Sequence, residues 1–140
     1  MSAMSDFLEN SLVDQIFRGQ TAPTTSTLYI GLYTAAPSDT GGGTELSGSG
    51  YARVSVSSSL ANWAGTQSTG STTASSGTGG ATSNNTAITF PEPTSGWGQV
   101  QAFGVFDAAT GGNLLFHGSL TINKTINEGD TVTFPAGSLV

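Results

Sequence analysis

The chain has 140 residues, no cysteine and a net charge of -6 from three basic and nine acidic side chains. That length supports a single core, and the missing thiols exclude disulfides, thiolate zinc sites and cysteine nucleophiles. So few cations exclude the phosphate neutralisation on which nucleic-acid and anionic-membrane binding depend.

Charged residues are only 9% of the chain, and 20 glycines, 21 threonines and 19 serines stand in their place. Such a surface is polar without being charged, and hydroxyls cost less to desolvate between subunits than ions do. Aromatic residues at 9% argue against disorder, which combines high charge with few aromatics. The start, MSAMSDFLEN, lacks the basic n-region and apolar run of a signal peptide, so no cleaved export signal is expected. No stretch approaches the roughly 20 apolar residues of a membrane helix.

Residues 6–18, DFLENSLVDQIFR, predict an amphipathic helix of about three turns. Asp6 is the expected N-cap, with Glu9 completing a capping box. Leu8, Leu12 and Ile16 recur at four-residue steps, widened by Phe7, Val13 and Phe17. Arg18 suits the last turn and Gly19 the C-cap. The stripe is expected to lid the open end of a β core; the alternative is a docking arm laid on a partner.

Beyond the helix the hydrophobic period changes to two. TLYIGLYT (27–34) alternates Leu28, Ile30 and Leu32 against Tyr29, Gly31 and Tyr33. After the loop TGGGTELSGSG, YARVSVSS places Ala52, Val54 and Val56 on one face. AITF (87–90) is stopped by Pro91 and Pro93. In GQVQAFGVFD, Val100, Ala102, Gly104 and Phe106 read as one face and Phe103 and Val105 as the other. DAATGGN is a turn; NLLFHGSL, KTI and TVTF are further strands, with the tight turn NEGD before the last. Short strands with Gly-rich turns predict a mainly β chain: an antiparallel β-sandwich, jelly-roll or immunoglobulin-like Greek key, with one N-terminal helix. The expected organisation is one domain over 1–140, with the helix at 6–18 and the sandwich over 27–140.

The stretch 65–86, GTQSTGSTTASSGTGGATSNNT, holds no charge and no large apolar side chain. It lies inside the strand series, and neither flank has enough strands to be a domain, so it is not a linker. A tract without apolar area does not order itself. It is expected to pack on its own sandwich or on a neighbouring subunit.

Catalytic constellations are scarce. His117 is the sole histidine; it sits in a strand, with Asp107 as the candidate partner across a turn and no Gly-x-Ser-x-Gly elbow. Glu128 and Asp130, or Asp39 and Glu45, place carboxylates on loops, but without the EF-hand pattern, and solvated turn acids are the expected reading. The GGG and GSG runs lack the GK[ST] of a phosphate loop. No cofactor and no metal are expected. Tyr29, Tyr33, Tyr51, Trp63 and Trp97 offer an alternative role as a glycan platform. Asn84-Asn85-Thr86 and Asn123-Lys124-Thr125 fit the glycosylation sequon, by chance where no secretory signal is read.

The ordered series of helix, LY-x-x-LY, TELSGSGYAR, GVFDAATGGNLL and GDTVTFPAGSL covers nearly the whole chain and resembles small virion proteins of tailed bacteriophages, often labelled tail-fibre-like. Residues 65–83 are longer and richer in Ser and Thr than that family pattern. The resemblance implies a structural virion component and no enzyme. A trimeric fibre shaft carries heptads or a β repeat, and this chain has neither. The resulting expectation is a capsid decoration or cement protein on the particle surface, a homotrimer whose partners are the major capsid protein and its own copies, with no nucleic acid and no membrane. The alternative is a tail-fibre or tail-adaptor component; an enzyme or metal-dependent lectin is the remaining rival class. The interface is expected at Leu8, Leu12, Ile16 and Phe17 of the helix, at Thr72 and Thr73 of the long loop, and at Trp63 and Trp97.

Overall fold

The computed structural model describes residues 2–139. Its elements, in chain order, are β1 (Ser2–Met4), α1 (Asp6–Arg18), β2 (Thr27–Ala35), β3 (Thr44–Glu45), β4 (Val54–Ser57), β5 (Ile88–Thr89), β6 (Gly98–Phe106), β7 (Leu114–Ile126) and β8 (Thr133–Phe134). Six strands form one antiparallel sheet in the order β1-β7-β6-β2, with β3 and β4 both paired along the outer edge of β2. β5 and β8 form a two-stranded ribbon, which Phe90 extends by donating its N–H to Val132 O at 2.9 Å.

The chain is mainly β, an antiparallel sandwich with an N-terminal helix. The core lies between sheet and ribbon: Ile30, Leu32, Val56, Phe103 and Val105 from one layer meet Ile88, Phe90 and Phe134 from the other. Aromatic edges lock it, Phe134 packing on Phe90 and Phe103 with ring centres 6.2 and 6.1 Å away. The six-and-two division departs from the near-even halves of a jelly roll or immunoglobulin sandwich. The long strands β2, β6 and β7 all join one sheet, while Pro91 and Pro93 end the ladder soon after β5.

Three local expectations are corrected. Ser5, not Asp6, caps α1: its Oγ accepts from Leu8 N at 3.3 Å, leaving Asp6 and Glu9 as first-turn acids favoured by the helix dipole. NLLFHGSL and KTI are one 13-residue strand, whose residues 120–123 bulge out of register with β6. The same irregularity leaves Gln101 between the pairs Val100↔Lys124 and Ala102↔Ser119. Val100 therefore joins Phe103 and Val105 in the core instead of sharing the face of Ala102 and Phe106.

The outer face of the large sheet carries a second cluster, Tyr33, Ala102 and Phe106 with Tyr29 and Leu114. Gly31 and Gly104 sit opposite each other at its centre. A Cβ at Gly31 would lie 2.8 Å from Glu45 Oε1, and one at Gly104 would lie 2.9 Å from Leu114 Cδ1. The paired glycines therefore make room for the side chains that cross this face.

Residues 65–86 fold back on their own body. Ala64 N donates to Ser83 O at 2.8 Å, Thr66 Oγ1 to Ser76 O at 2.9 Å, and Gly70 N to Asn85 Oδ1 at 3.0 Å. Asn84, 0% exposed, links the stretch to the C-terminal turn, while residues 72–82 are exposed.

Candidate interaction site

The root of α1 is fixed by backbone and side chain together. Ser5 N donates to Leu115 O at 2.9 Å, Ser5 Oγ donates to Leu114 O, and Asp6 N donates to Asp39 O at 2.9 Å. Phe7 lines a cleft of about 470 Å3 with Tyr33, Phe106 and Leu114. No residue of α1 is buried. Leu8 and Leu12 are half-buried, but Val13, Ile16 and Phe17 are 51, 69 and 80% exposed. At spacings i, i+3 and i+4 these three share one face. The expected lid is therefore corrected: the ribbon already closes the core, and the end of the helix stands clear of it. Gly19 stops it in the left-handed conformation at φ 66°, and Arg18 pairs with Asp14 at 2.9 Å on the surface.

A second constellation gathers around Arg53. Arg53 Nε and Nη2 each donate at 2.7 Å to the two oxygens of Glu45. Its Nη1 donates to Ala108 O at 2.8 Å and Gly111 O at 2.9 Å. The guanidinium carbon sits 3.4 Å above the Phe106 ring. Tyr51 Oη accepts from Leu32 N at 3.0 Å and donates to Glu45 Oε1 at 2.9 Å. Arg53 thus staples the TELSGSGYAR block to the GVFDAATGGNLL hairpin, and the motif residues hold the fold together.

Burial alone lowers the pKa of Arg53, but the hydrogen bonds and charge of Glu45 outweigh it and leave the pKa raised. Burial is the main cause raising both Tyr51 and Tyr33, with Glu45 adding to it. A tyrosine whose pKa is raised on folding stabilises fully below its unfolded pKa, and that contribution fades as pH climbs through the folded value. Stability is therefore expected to fall once pH exceeds about 10, where unfolded tyrosines ionise. Urea unfolding across pH 8 to 11.5 measures this; a flat profile would refute it.

The other expected site residues separate. Trp97 is 6% exposed, with Nε1 donating to Ser49 O at 3.0 Å; it is core and presents no surface to a partner. Trp63 packs against the core, its Nε1 buried without an acceptor among the described residues. Thr72 and Thr73 are exposed, remote in role from the helix face. Tyr33 is buried and Tyr29 and Tyr51 half-buried, so the five rings form no exposed platform. His117 Nε2 meets Asp39 Oδ1 at 2.9 Å, whereas Asp107 instead accepts from Asn113 N at 2.7 Å and Nδ2 at 2.8 Å. Asp130 accepts from Asn127 N at 2.7 Å within its turn. Buried Asn84 is no glycan acceptor in the folded chain. Among the described residues no helix is long and apolar enough to cross a membrane.

The sandwich thus carries an exposed apolar helix end on a lightly charged surface. Residues 3–140 match the family described as Podophage GP4 fiber I protein gp80. The chain belongs to this phage fibre protein family. The match supports the expected phage virion resemblance at the level of a fibre protein family. No curated protein matches the chain.

Proposed function

We propose that the chain is a non-catalytic structural component of a phage tail fibre, or of the adaptor that carries one, working through protein–protein contacts. The carrying observation is the family match over residues 3–140, which names a fibre protein. It favours the fibre alternative over the capsid-cement role that composition suggested, with its major-capsid-protein partner and homotrimer. The exposed Val13, Ile16 and Phe17 supply an apolar contact surface, and repeated copies turn modest interfaces into firm assembly.

Quantitative mass spectrometry of purified virions, with heads and tails separated, tests this. The expected result is a small copy number confined to the tail fraction. Enrichment in heads at a copy number comparable to the capsid protein's overturns the fibre reading and restores cement.

A further inference from the structure

At the far end of β7 from the root of α1 lies an apolar cleft of about 360 Å3. Leu120, Ile126, Val132 and Phe134 line it together with Lys124 and Asp130. It opens where β7 bulges away from β6, and Ile122, 66% exposed, lies in that bulge. Among the described residues the molecule thus presents an exposed apolar knob, Val13, Ile16 and Phe17, and an apolar cleft. They belong to opposite ends of one strand: α1 is tied to Leu114 and Leu115, whereas the cleft uses Leu120 to Ile126.

We propose that the end of α1 in one copy docks into the cleft between β7 and β8 of a second copy. Charge singles out this occupant. Of three basic residues, Arg53 is engaged by Glu45; the other two are Arg18 beside the knob and Lys124 in the cleft. The cleft also has one carboxylate, Asp130; the helix carries Asp14 beside Arg18, and Glu9 one turn before Val13 on the knob's own face. Crossed docking therefore sets Lys124 against the helix acids and Asp130 against Arg18, in a chain that is only 9% charged. The existing Arg18–Asp14 pair is exposed and gives up little on exchange. Phe17 enters beside Phe134, where an aromatic pair adds to the area buried. Two different patches meet, so each copy offers one of each and association propagates head to tail, into a ring where the rotation closes and a filament where it does not.

This deepens the fibre reading and rests on it for its setting, but its test uses the purified full chain alone. The chain lacks cysteine, so single thiols can be placed at will. One variant carries Gln20→Cys just past the knob; another carries Thr131→Cys, exposed at the cleft. Mixed and treated with a short bismaleimide, they are expected to give a cross-linked heterodimer well above a mixture in which Thr72→Cys replaces Thr131→Cys. Adding Phe17→Asp to the Gln20→Cys chain is expected to cut that yield about tenfold or more, to the control level. Phe17 is exposed, so the variant keeps its fold, checked by thermal melting. Yields equal to the control, or a dominant Gln20→Cys homodimer, overturn self-docking in the cleft. Finding the chain in phage heads would overturn the fibre role while leaving this result standing.

Discussion

Replacing Arg53 with alanine is expected to destabilise the chain by about 3 kcal/mol, lowering Tm by roughly 10 °C. The side chain is 7% exposed, and its removal leaves the Glu45 carboxylate without its cation. Breaking a buried pair on one side costs about 3 to 5 kcal/mol. Glu45 keeps 25% exposure, so solvent recovers part of that and the lower end applies. The carbonyls of Ala108 and Gly111 lose their donor as well, loosening the turn before β7. Arg53→Lys is expected to recover less than half of the loss, because an ammonium cannot reproduce the two parallel bonds to Glu45 or the stacking on Phe106. Urea melts of Arg53→Ala, Glu45→Ala and the double variant close a cycle. A double variant no worse than either single one confirms the coupling; strict additivity would show that the staple is not a unit.

The helix was legible because its period and both ends are local. Only the cap slipped by one residue, since Ser5 and Asp6 are both cap formers and only the tertiary bond from Ser5 to Leu114 decides between them. Strands β2 and β6 were legible as period-two runs. The misplacement of Val100 shows the limit of that signal: a bulge changes which face a residue serves without changing its spelling. β1 was not legible at all, because three residues held by backbone pairing to β7 leave no side-chain pattern to read.

The candidate site was half legible for a related reason. An apolar stripe says that a helix has a face to cover, not what covers it. Core lid and docking arm have the same sequence, and only the exposure of Ile16 and Phe17 tells them apart. The Arg53 staple did leave a signal. In a chain with three basic residues, an arginine between a tyrosine and a β-branched run has to find an anion once its strand packs, and Glu45 stands eight positions earlier. Trp97 misled by type: large aromatics serve cores and interfaces alike, and its place beside Tyr51, ring centres 5.5 Å apart, is a long-range fact.

One residue of the long Ser/Thr/Gly stretch ties it to the rest of the body, which makes Asn84 the sharpest remaining test. Its Oδ1 accepts from Leu139 N at 2.9 Å, and its Nδ2 donates to Thr86 O at 2.8 Å and Pro135 O at 2.9 Å. Its backbone also bonds Gly137 and Leu139. Asn84→Ala leaves those groups without the partner they have in a fully buried position, an expected cost of about 3 kcal/mol. Hydrogen exchange should rise together over residues 65–73 and 135–139, because the side chain is what joins them. Asn84→Asp is the stricter case. It keeps size and one acceptor but loses both donors and sets a carboxylate among carbonyl oxygens, so it should cost more than alanine at pH 7. Burial there raises the new carboxyl's pKa. Its protonated form then fits better, so stability should return as pH falls through the raised folded value, fully below about 3.9, and be lost again as pH rises through the folded value. Two variants within about 0.5 kcal/mol of the parent, or exchange confined to the loop, would mean that the stretch is held by something other than Asn84.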